Sequence, residues 1–224
     1  MSSTSTPVTP EHFAYLAART RGEDDFLADL KAAAEAAGIP AIWISPEQAS
    51  LMQILLKAGG ARRVVEVGTL AGYSAIAMAR ALPSAEEGGC LDTIEIDAQR
   101  VDFAREQIAR SDVADRVHVH QGPGAEVLAG LEDGSYDAAF LDADKSGYPV
   151  YLEHCLRLVR PGGQILVDNA FAFGQLFDAT PTDGEVEAVR AFNDRMAATA
   201  GLHGVILPIG DGLWVSVVEG GDSR

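Results

Sequence analysis

The chain has 224 residues and carries 17 Lys and Arg against 33 Asp and Glu, a net charge of −16 at pH 7. With 47% hydrophobic and 22% charged residues, its composition is that of a folded globular protein, and its length fits one domain. So acidic a chain is poorly suited to bind nucleic-acid phosphates or anionic membrane surfaces. The ordinary role of such acidity is solubility.

The cysteines and the hydropathy pattern predict a soluble protein of the cytoplasm. Cys90 and Cys155 are the only cysteines, and neither has the close Cys or His spacing of a structural zinc site. Two cysteines do not make a disulfide scaffold. No apolar run approaches the roughly 20 residues of a membrane helix. The polar residues 1–9 predict a flexible lead-in rather than a secretory signal.

Residues 10–58 are rich in Ala and predict a helical cap, divided at Gly22 and at Gly38-Ile39-Pro40. Ser45-Pro46-Glu47-Gln48 is a strong helix start, because Ser is a good N-cap and Pro suits the first helical position. Residues 10–224 as a whole are expected to form one domain that includes this cap.

From Arg62 onward, short apolar runs alternate with amphipathic stretches. The runs that predict strands are residues 64–67, 91–96, 117–120, 138–141, 164–167, 205–209 and 213–218. Helical spacing lies between most of them, and Arg160-Pro161-Gly162-Gly163 is expected to end the helix before the fifth strand. This alternation predicts an α/β fold: a mostly parallel sheet of seven strands with helices on both faces. Only Gly210-Asp211-Gly212 separates the last two runs, which predicts an antiparallel hairpin at the sheet edge.

Acidic and small residues stand at the end of four of these runs or directly after it. In chain order they are Glu66 with Gly68, Glu95, Asp142, and Asp168 with Asn169. A single acid at a strand end is usually a helix cap. Four such ends on one edge of an open α/β sheet, where ligands bind, favour a binding site instead.

The segment that follows the first predicted strand, residues 68–72, suggests the cofactor. Gly68 and Gly72 are four residues apart, which is neither the dinucleotide fingerprint nor a phosphate-binding loop. Glu95, at the end of the next strand, is placed to accept hydrogen bonds from a ribose diol. An adenosine ligand without a pyrophosphate fits both features, and S-adenosylmethionine is such a ligand.

Asp142, Asp168 and Asn169 offer hard oxygen ligands from two strand ends. Two carboxylates held close together repel unless a cation lies between them, and Mg²⁺ favours such a set. Mn²⁺ and Ca²⁺ are alternatives. Taken singly, Asp142 is equally consistent with a helix cap and Asp168-Asn169 with a turn. Lys145, three residues beyond Asp142, is either an ordinary surface lysine or part of the site.

These motifs together resemble the cation-dependent, S-adenosylmethionine-dependent O-methyltransferases, the group that contains caffeoyl-CoA and catechol O-methyltransferases and many bacterial relatives. The resemblance runs from about residue 44 to residue 218, and its most specific part is Asp142-Ala143-Asp144-Lys145 together with Val167-Asp168-Asn169. It implies a class I methyltransferase fold, with a Rossmann-like sheet.

The resemblance also implies residue roles. Cofactor contacts are expected from Glu66, Gly68, Thr69, Tyr73, Ser74, Glu95, Gly124 and Asp142. The divalent metal is expected on Asp142, Asp168 and Asn169, and catalysis is expected from Lys145 with Asp142. The implied reaction is direct methyl transfer to one hydroxyl of a vicinal diol, most simply a catechol, with Lys145 taking the proton.

The chain departs from the family pattern on the acceptor side. Ile42, Gly122-Pro123-Gly124 and Ala170-Phe171-Ala172-Phe173 stand where many members have other residues. A sugar or natural-product diol therefore remains an alternative acceptor. A NAD-type oxidoreductase is less favoured because the glycine fingerprint is missing, and a non-catalytic ligand-binding protein because Lys145 and the metal set are intact.

Two further expectations concern aromatic and apolar residues near the N-terminus. Trp43 either packs in the core or lies over the cofactor or acceptor. The N-terminal helices of this family often carry a dimer contact, for which Phe13, Leu16 and Phe26 are suited. A homodimer is therefore expected.

Overall fold

The computed structural model describes residues 8–20 and 22–220. The expected flexible lead-in falls largely outside these residues. The helices are α1 Pro10–Ala17, α2 Asp25–Ala36, α3 Pro46–Ala58, α4 Tyr73–Ala79, α5 Ala98–Ala109, α6 Gly124–Ala129, α7 Tyr148–Leu158 and α8 Val186–Ala198. The strands are β1 Arg63–Val67, β2 Cys90–Glu95, β3 Val117–Gln121, β4 Tyr136–Leu141, β5 Val159–Val167, β6 Leu202–Leu207 and β7 Leu213–Val218.

The strands form one seven-stranded sheet in the order β3-β2-β1-β4-β5-β7-β6. Strands β1 to β5 pair in parallel. Strand β7 runs antiparallel to both β5 and β6, so the hairpin closes one edge of the sheet. The predicted α/β fold class is confirmed. Parallel strands must be joined by crossover connections, and most of the crossovers here contain a helix.

Apolar side chains cover both faces of the sheet. Val64 on one face packs in a cluster that includes Met52 of α3 and Ile76 of α4. The next residue, Val65, packs in a second cluster that includes Leu152 of α7 and Phe192 of α8. This alternation follows from the two-residue period of a strand. Helices therefore lie on both sides, and the carboxyl ends of β1, β2, β4 and β5 are left to meet at one edge.

Six of the seven strands differ from the prediction at one or both ends, and the differences are largest at β5 and β6. Strand β5 begins at Val159, so Arg160-Pro161-Gly162-Gly163 belongs to the strand and the preceding helix ends at Leu158. The register with β4 shifts at this point, and such irregular pairing tolerates Pro and Gly. Strand β6 ends at Leu207, since Pro208 has no N–H to give to a ladder.

The N-terminal cap follows the predicted breaks. Ser45 is the N-cap of α3 and accepts a hydrogen bond of 3.2 Å from the Gln48 backbone N–H, as its sequence indicates. Phe13 and Leu16 of α1 are exposed, whereas Phe26 of α2 packs against the core. The homodimer stays a prediction. Among the described residues, no helix is both long and apolar enough to cross a bilayer.

Candidate active site

A cavity of about 1020 Å³ opens at the edge where the parallel strands end. It brings together the residues predicted for the site with one exception, Glu66. The predicted residues that line it are Gly68, Thr69, Tyr73, Ser74, Glu95, Gly124, Asp142, Lys145, Asp168 and Asn169. This convergence is the expected consequence of a parallel sheet, whose loops meet at the carboxyl edge.

The loop after β1 approaches the loop after β4 closely at Gly68. A Cβ at Gly68 would lie 2.0 Å from the Asp142 carbonyl oxygen, and its φ of +105° is one that L side chains rarely adopt. Gly72 has φ +88° and is the N-cap of α4. These glycines let the backbone fold tightly between the sheet and the cavity.

Glu66 lies beneath this loop and not in the cavity. Its side chain is fully buried and accepts hydrogen bonds from the hydroxyls of Ser74 and of Thr93, the latter at 2.5 Å. Thr93 is in turn 2.6 Å from the Thr69 hydroxyl. Burial raises the pKa of Glu66 to about 8 against the lowering effect of these hydrogen bonds. Glu66 thus supports Ser74, which does line the cavity, and its own contact with the cofactor stays a prediction.

Glu95 is fixed at the end of β2 with its carboxylate at the cavity wall. One oxygen accepts from the Leu70 backbone N–H at 2.9 Å and the other from the Asp97 N–H at 3.0 Å. Each carboxylate oxygen has a further lone pair, so a ribose diol can still be accepted. The Tyr73 hydroxyl, by contrast, donates to Glu23 of the N-terminal cap at 3.0 Å.

Lys145 is 4% exposed and lines the cavity. Its Nζ lies 3.3 Å from Asp142 Oδ1 and 2.7 Å from the Tyr148 hydroxyl oxygen. Its backbone N–H donates to Glu185 at 3.0 Å, across a loop that brings the start of α8 to the site. The reading of Lys145 as an ordinary surface lysine is therefore wrong.

Asp168 and Asn169 follow β5 and face Asp142. Asp168 accepts a hydrogen bond of 2.8 Å from Gln48 of α3. Burial, and then the charge of Asp142, raise the pKa of Asp168 to about 7, and burial also raises the pKa of Asp142. Asn169 has φ +64°, and its amide N–H₂ donates to Asp211 at 3.1 Å, which leaves its carbonyl oxygen as a donor atom for a ligand.

This set of side chains fits a hard divalent cation. Two enclosed carboxylates whose pKa values are raised by burial and, at Asp168, by mutual repulsion gain from a positive charge between them. Over the described residues, no group of three or more His, Cys, Asp or Glu side chains is arranged for a metal. Any cation would therefore rest on Asp142, Asp168, the Asn169 amide oxygen and oxygens from outside the chain, a partial set that suits Mg²⁺.

Aromatic and apolar side chains form the outer wall of the cavity. Trp43, Ile42 and Phe173 line it, and Trp43 also packs against the core cluster that contains Met52. Trp43 thus packs on the core, and a place over the cofactor or acceptor stays a prediction. Phe173 has φ +59°, and its backbone N–H donates to Asp211 at 2.8 Å, so the chain after Asn169 is tied to the turn between β6 and β7.

Sequence reasoning missed four residues that shape the site: Gln48, Tyr148, Glu185 and Asp211. Tyr148 had a local signal, because it is three residues beyond Lys145 where a helix begins. Gln48 stands in the helix start that the sequence singled out, but nothing local shows that it reaches Asp168. Asp211 and Glu185 contact the site only through the folding of distant loops.

Comparison with known proteins gives one consistent family. The O-methyltransferase family matches residues 17–218. The chain is 36% identical over 205 residues to a catechol O-methyltransferase of Niastella koreensis, covering 88% of this chain and 91% of that protein. It is 37% identical over 196 residues to a catechol O-methyltransferase of Mycobacterium tuberculosis, covering 88% of this chain and 87% of the other.

Solved structures of O-methyltransferases share the fold. That of a Bacillus cereus O-methyltransferase in complex with SAH superposes with a TM-score of 0.82 at 34% identity, over 92% of this chain and 96% of the other. The O-methyltransferase TomG of Streptomyces achromogenes, in complex with SAM and involved in tomaymycin synthesis, gives 0.80 at 30% identity, over 92% and 95%. The chain described here therefore belongs to the O-methyltransferase family, as an enzyme of the class I methyltransferase fold.

Proposed function

We propose that this enzyme transfers the methyl group of S-adenosylmethionine to one hydroxyl of a catechol-type vicinal diol, with the aid of a divalent cation. The observation that carries the proposal is the placement of Lys145, Asp142 and Asp168 in the same cavity as Glu95. A proton acceptor, a candidate cation site and a carboxylate suited to a ribose thus share one space of about 1020 Å³.

The cofactor end of the cavity supports S-adenosylmethionine. Gly68, Thr69 and Ser74 lie along the loop after β1, and Glu95 closes the neighbouring strand. The solved relatives named above carry SAM or SAH. Gly124 also lines this space. A Cβ there would lie 2.8 Å from Val67 Cγ1, so a larger residue would clash with the Val67 side chain.

At the acceptor end, Lys145 Nζ takes the proton of the hydroxyl as that oxygen forms its bond to the methyl carbon. The bond between carbon and sulfur breaks, and its electron pair stays on sulfur. Asp142 holds Nζ in place through its contact of 3.3 Å. When bound, a divalent cation on Asp142, Asp168 and Asn169 supplies Lewis-acid stabilisation of negative charge on oxygen.

The wall of the cavity favours a flat acceptor. Trp43 and Phe173 present aromatic surface, which suits an aromatic ring. The curated relatives are named for catechol. One observation favours the alternative of a natural-product diol: the TomG relative is involved in tomaymycin synthesis. Membership of the family argues against the NAD-dependent and non-catalytic alternatives.

The experiment is an acceptor screen with methyl-labelled S-adenosylmethionine and Mg²⁺. Catechol, a phenol with a single hydroxyl, a polycyclic natural-product catechol and a sugar cis-diol are compared, and products are identified by mass. We expect one methyl group on catechol and none on the single phenol. Transfer to the sugar alone would replace the acceptor class, and transfer to none of the panel would overturn the proposal.

A further inference from the structure

The geometry around Lys145 points to Tyr148 as a positioning residue, which holds the lysine Nζ in place toward the acceptor. This inference rests on the proposed function, since it takes Lys145 as the group that accepts the proton. Tyr148 is not part of the motifs at the strand ends, and it is not among the residues that line the cavity.

Tyr148 is held rigidly. Its side chain is 1% exposed, and its ring meets that of Phe192 edge to face, with centroids 5.0 Å apart. Its hydroxyl proton is directed to the backbone carbonyls of Leu141 at 3.3 Å and Asp168 at 3.4 Å. The hydroxyl oxygen is therefore anchored between the ends of β4 and β5, the two strands that supply the candidate cation ligands.

With its proton directed to these carbonyls, the Tyr148 hydroxyl acts as an acceptor toward Lys145. The distance from Nζ to the hydroxyl oxygen is 2.7 Å, and from Nζ to Asp142 Oδ1 it is 3.3 Å. These two contacts together fix the position of Nζ at the cavity wall, where the acceptor hydroxyl would lie.

Loss of the tyrosine oxygen should leave Nζ free to move about the last bonds of the lysine side chain. Lys145 would still be present and still near Asp142, but Nζ would be placed toward the acceptor for only part of the time. Misorientation of this kind lowers the rate of the chemical step rather than the affinity for substrates.

The test is Tyr148→Phe, which keeps the ring and its contact with Phe192. We expect kcat with catechol to fall about ten- to a hundredfold. The KM for catechol and the dissociation constant for S-adenosylmethionine should stay within about twofold. The matched control is Tyr136→Phe, which removes another buried tyrosine hydroxyl, one that donates to Asp92 at 2.8 Å. It should lower the Tm and leave kcat unchanged.

A double-mutant comparison separates positioning from a general structural role. In a Lys145→Ala background, Tyr148→Phe should have no further effect on the residual rate, because its effect passes through the amine. An equal fall of the rate in both backgrounds would overturn the positioning role, and so would wild-type kcat in the single Tyr148→Phe variant. If Lys145→Ala itself kept full turnover, the proposed role of Lys145 would fail and the inference with it.

Discussion

Gln48 donates a hydrogen bond of 2.8 Å to Asp168 although 120 residues separate them in the chain. Gln48 is 1% exposed, and a Cβ at Gly210 would lie 2.2 Å from its Oε1, so the amide is enclosed on both sides. The N-terminal helix α3 thereby holds one carboxylate of the candidate cation site. The helical cap is part of the site's architecture and not only its cover.

Gln48→Leu should weaken the cation site, because Asp168 loses the donor that fixes its Oδ1. Changes to groups that orient a metal ligand typically cost about ten- to a hundredfold in metal affinity or activity. We expect the Mg²⁺ concentration for half-maximal methyl transfer to rise by about that factor. The Mg²⁺-induced increase in Tm should shrink in parallel.

The control for that prediction is Gln53→Leu, on the same helix. Gln53 lies outside the large cavity, beside a smaller surface cavity formed by α2, α3 and α4. It should behave as wild type in both measurements. A Gln48→Leu enzyme with an unchanged Mg²⁺ requirement would show that the contact with Asp168 does not serve the site.

Lys145→Ala should abolish most turnover and spare cofactor binding. General base catalysis contributes about 10²- to 10⁴-fold, so kcat should fall by about that factor. The dissociation constant for S-adenosylmethionine, measured by calorimetry, should stay near the wild-type value. Lys57→Ala, at the exposed end of α3, is the matched loss of a lysine charge. A Lys145→Ala variant with full kcat removes Lys145 from the mechanism.

Glu66 should make the fold less stable as pH rises. Its pKa of about 8 lies above the ordinary 4.5, so between these values the folded chain binds more protons than the unfolded chain. The contribution is fully present below pH 4.5 and is lost as pH rises through about 8. Glu66→Gln, which mimics the protonated acid, should gain roughly 4 kcal/mol relative to wild type between pH 5 and 8.5.

The measurement is urea unfolding of both proteins without cofactor across that range. Because other groups titrate in both proteins, the informative quantity is the difference between their free energies of unfolding. A difference that does not change with pH would mean that Glu66 keeps an ordinary pKa in the folded chain.

How much of this could be predicted depends on whether a feature is local or long-range. The strand ends were predictable, since apolar runs and their trailing acids are adjacent in sequence, and parallel strands share an edge. Glu66 illustrates a local signal that was not used. It alternates with Val65 and Val67 on β1, so its side chain must leave the sheet on the opposite face to theirs.

The contact between Gln48 and Asp168 could not be predicted in the same way. It depends on how α3 packs over the end of β5, and no spacing in the sequence encodes that approach. The start of β5 was misplaced for a related reason: Pro161, Gly162 and Gly163 normally interrupt regular structure, but a register shift against β4 accommodates them in the strand.

His120 and Asp92 provide a test of the sheet away from the site. The His120 ring nitrogen lies 2.7 Å from an Asp92 carboxylate oxygen, and this hydrogen bond raises the pKa of His120 above 6.5. The raised pKa stabilises the fold below pH 6.5, and the effect is lost as pH rises through the folded value. His120→Gln should therefore lower the Tm more at pH 6 than at pH 8.5. An equal loss at both pH values would show that the charge on His120 contributes nothing.

The most direct test of the central claim is the initial rate of methyl transfer from S-adenosylmethionine to catechol before and after divalent cations are removed. Because Asp142 and Asp168 line one cavity and the charge of Asp142 raises the pKa of Asp168, we expect EDTA to reduce the rate to background and added Mg²⁺ to restore it. Binding of S-adenosylmethionine, measured in the same EDTA-treated sample, should persist. Full methyl transfer in the presence of excess EDTA would contradict the account.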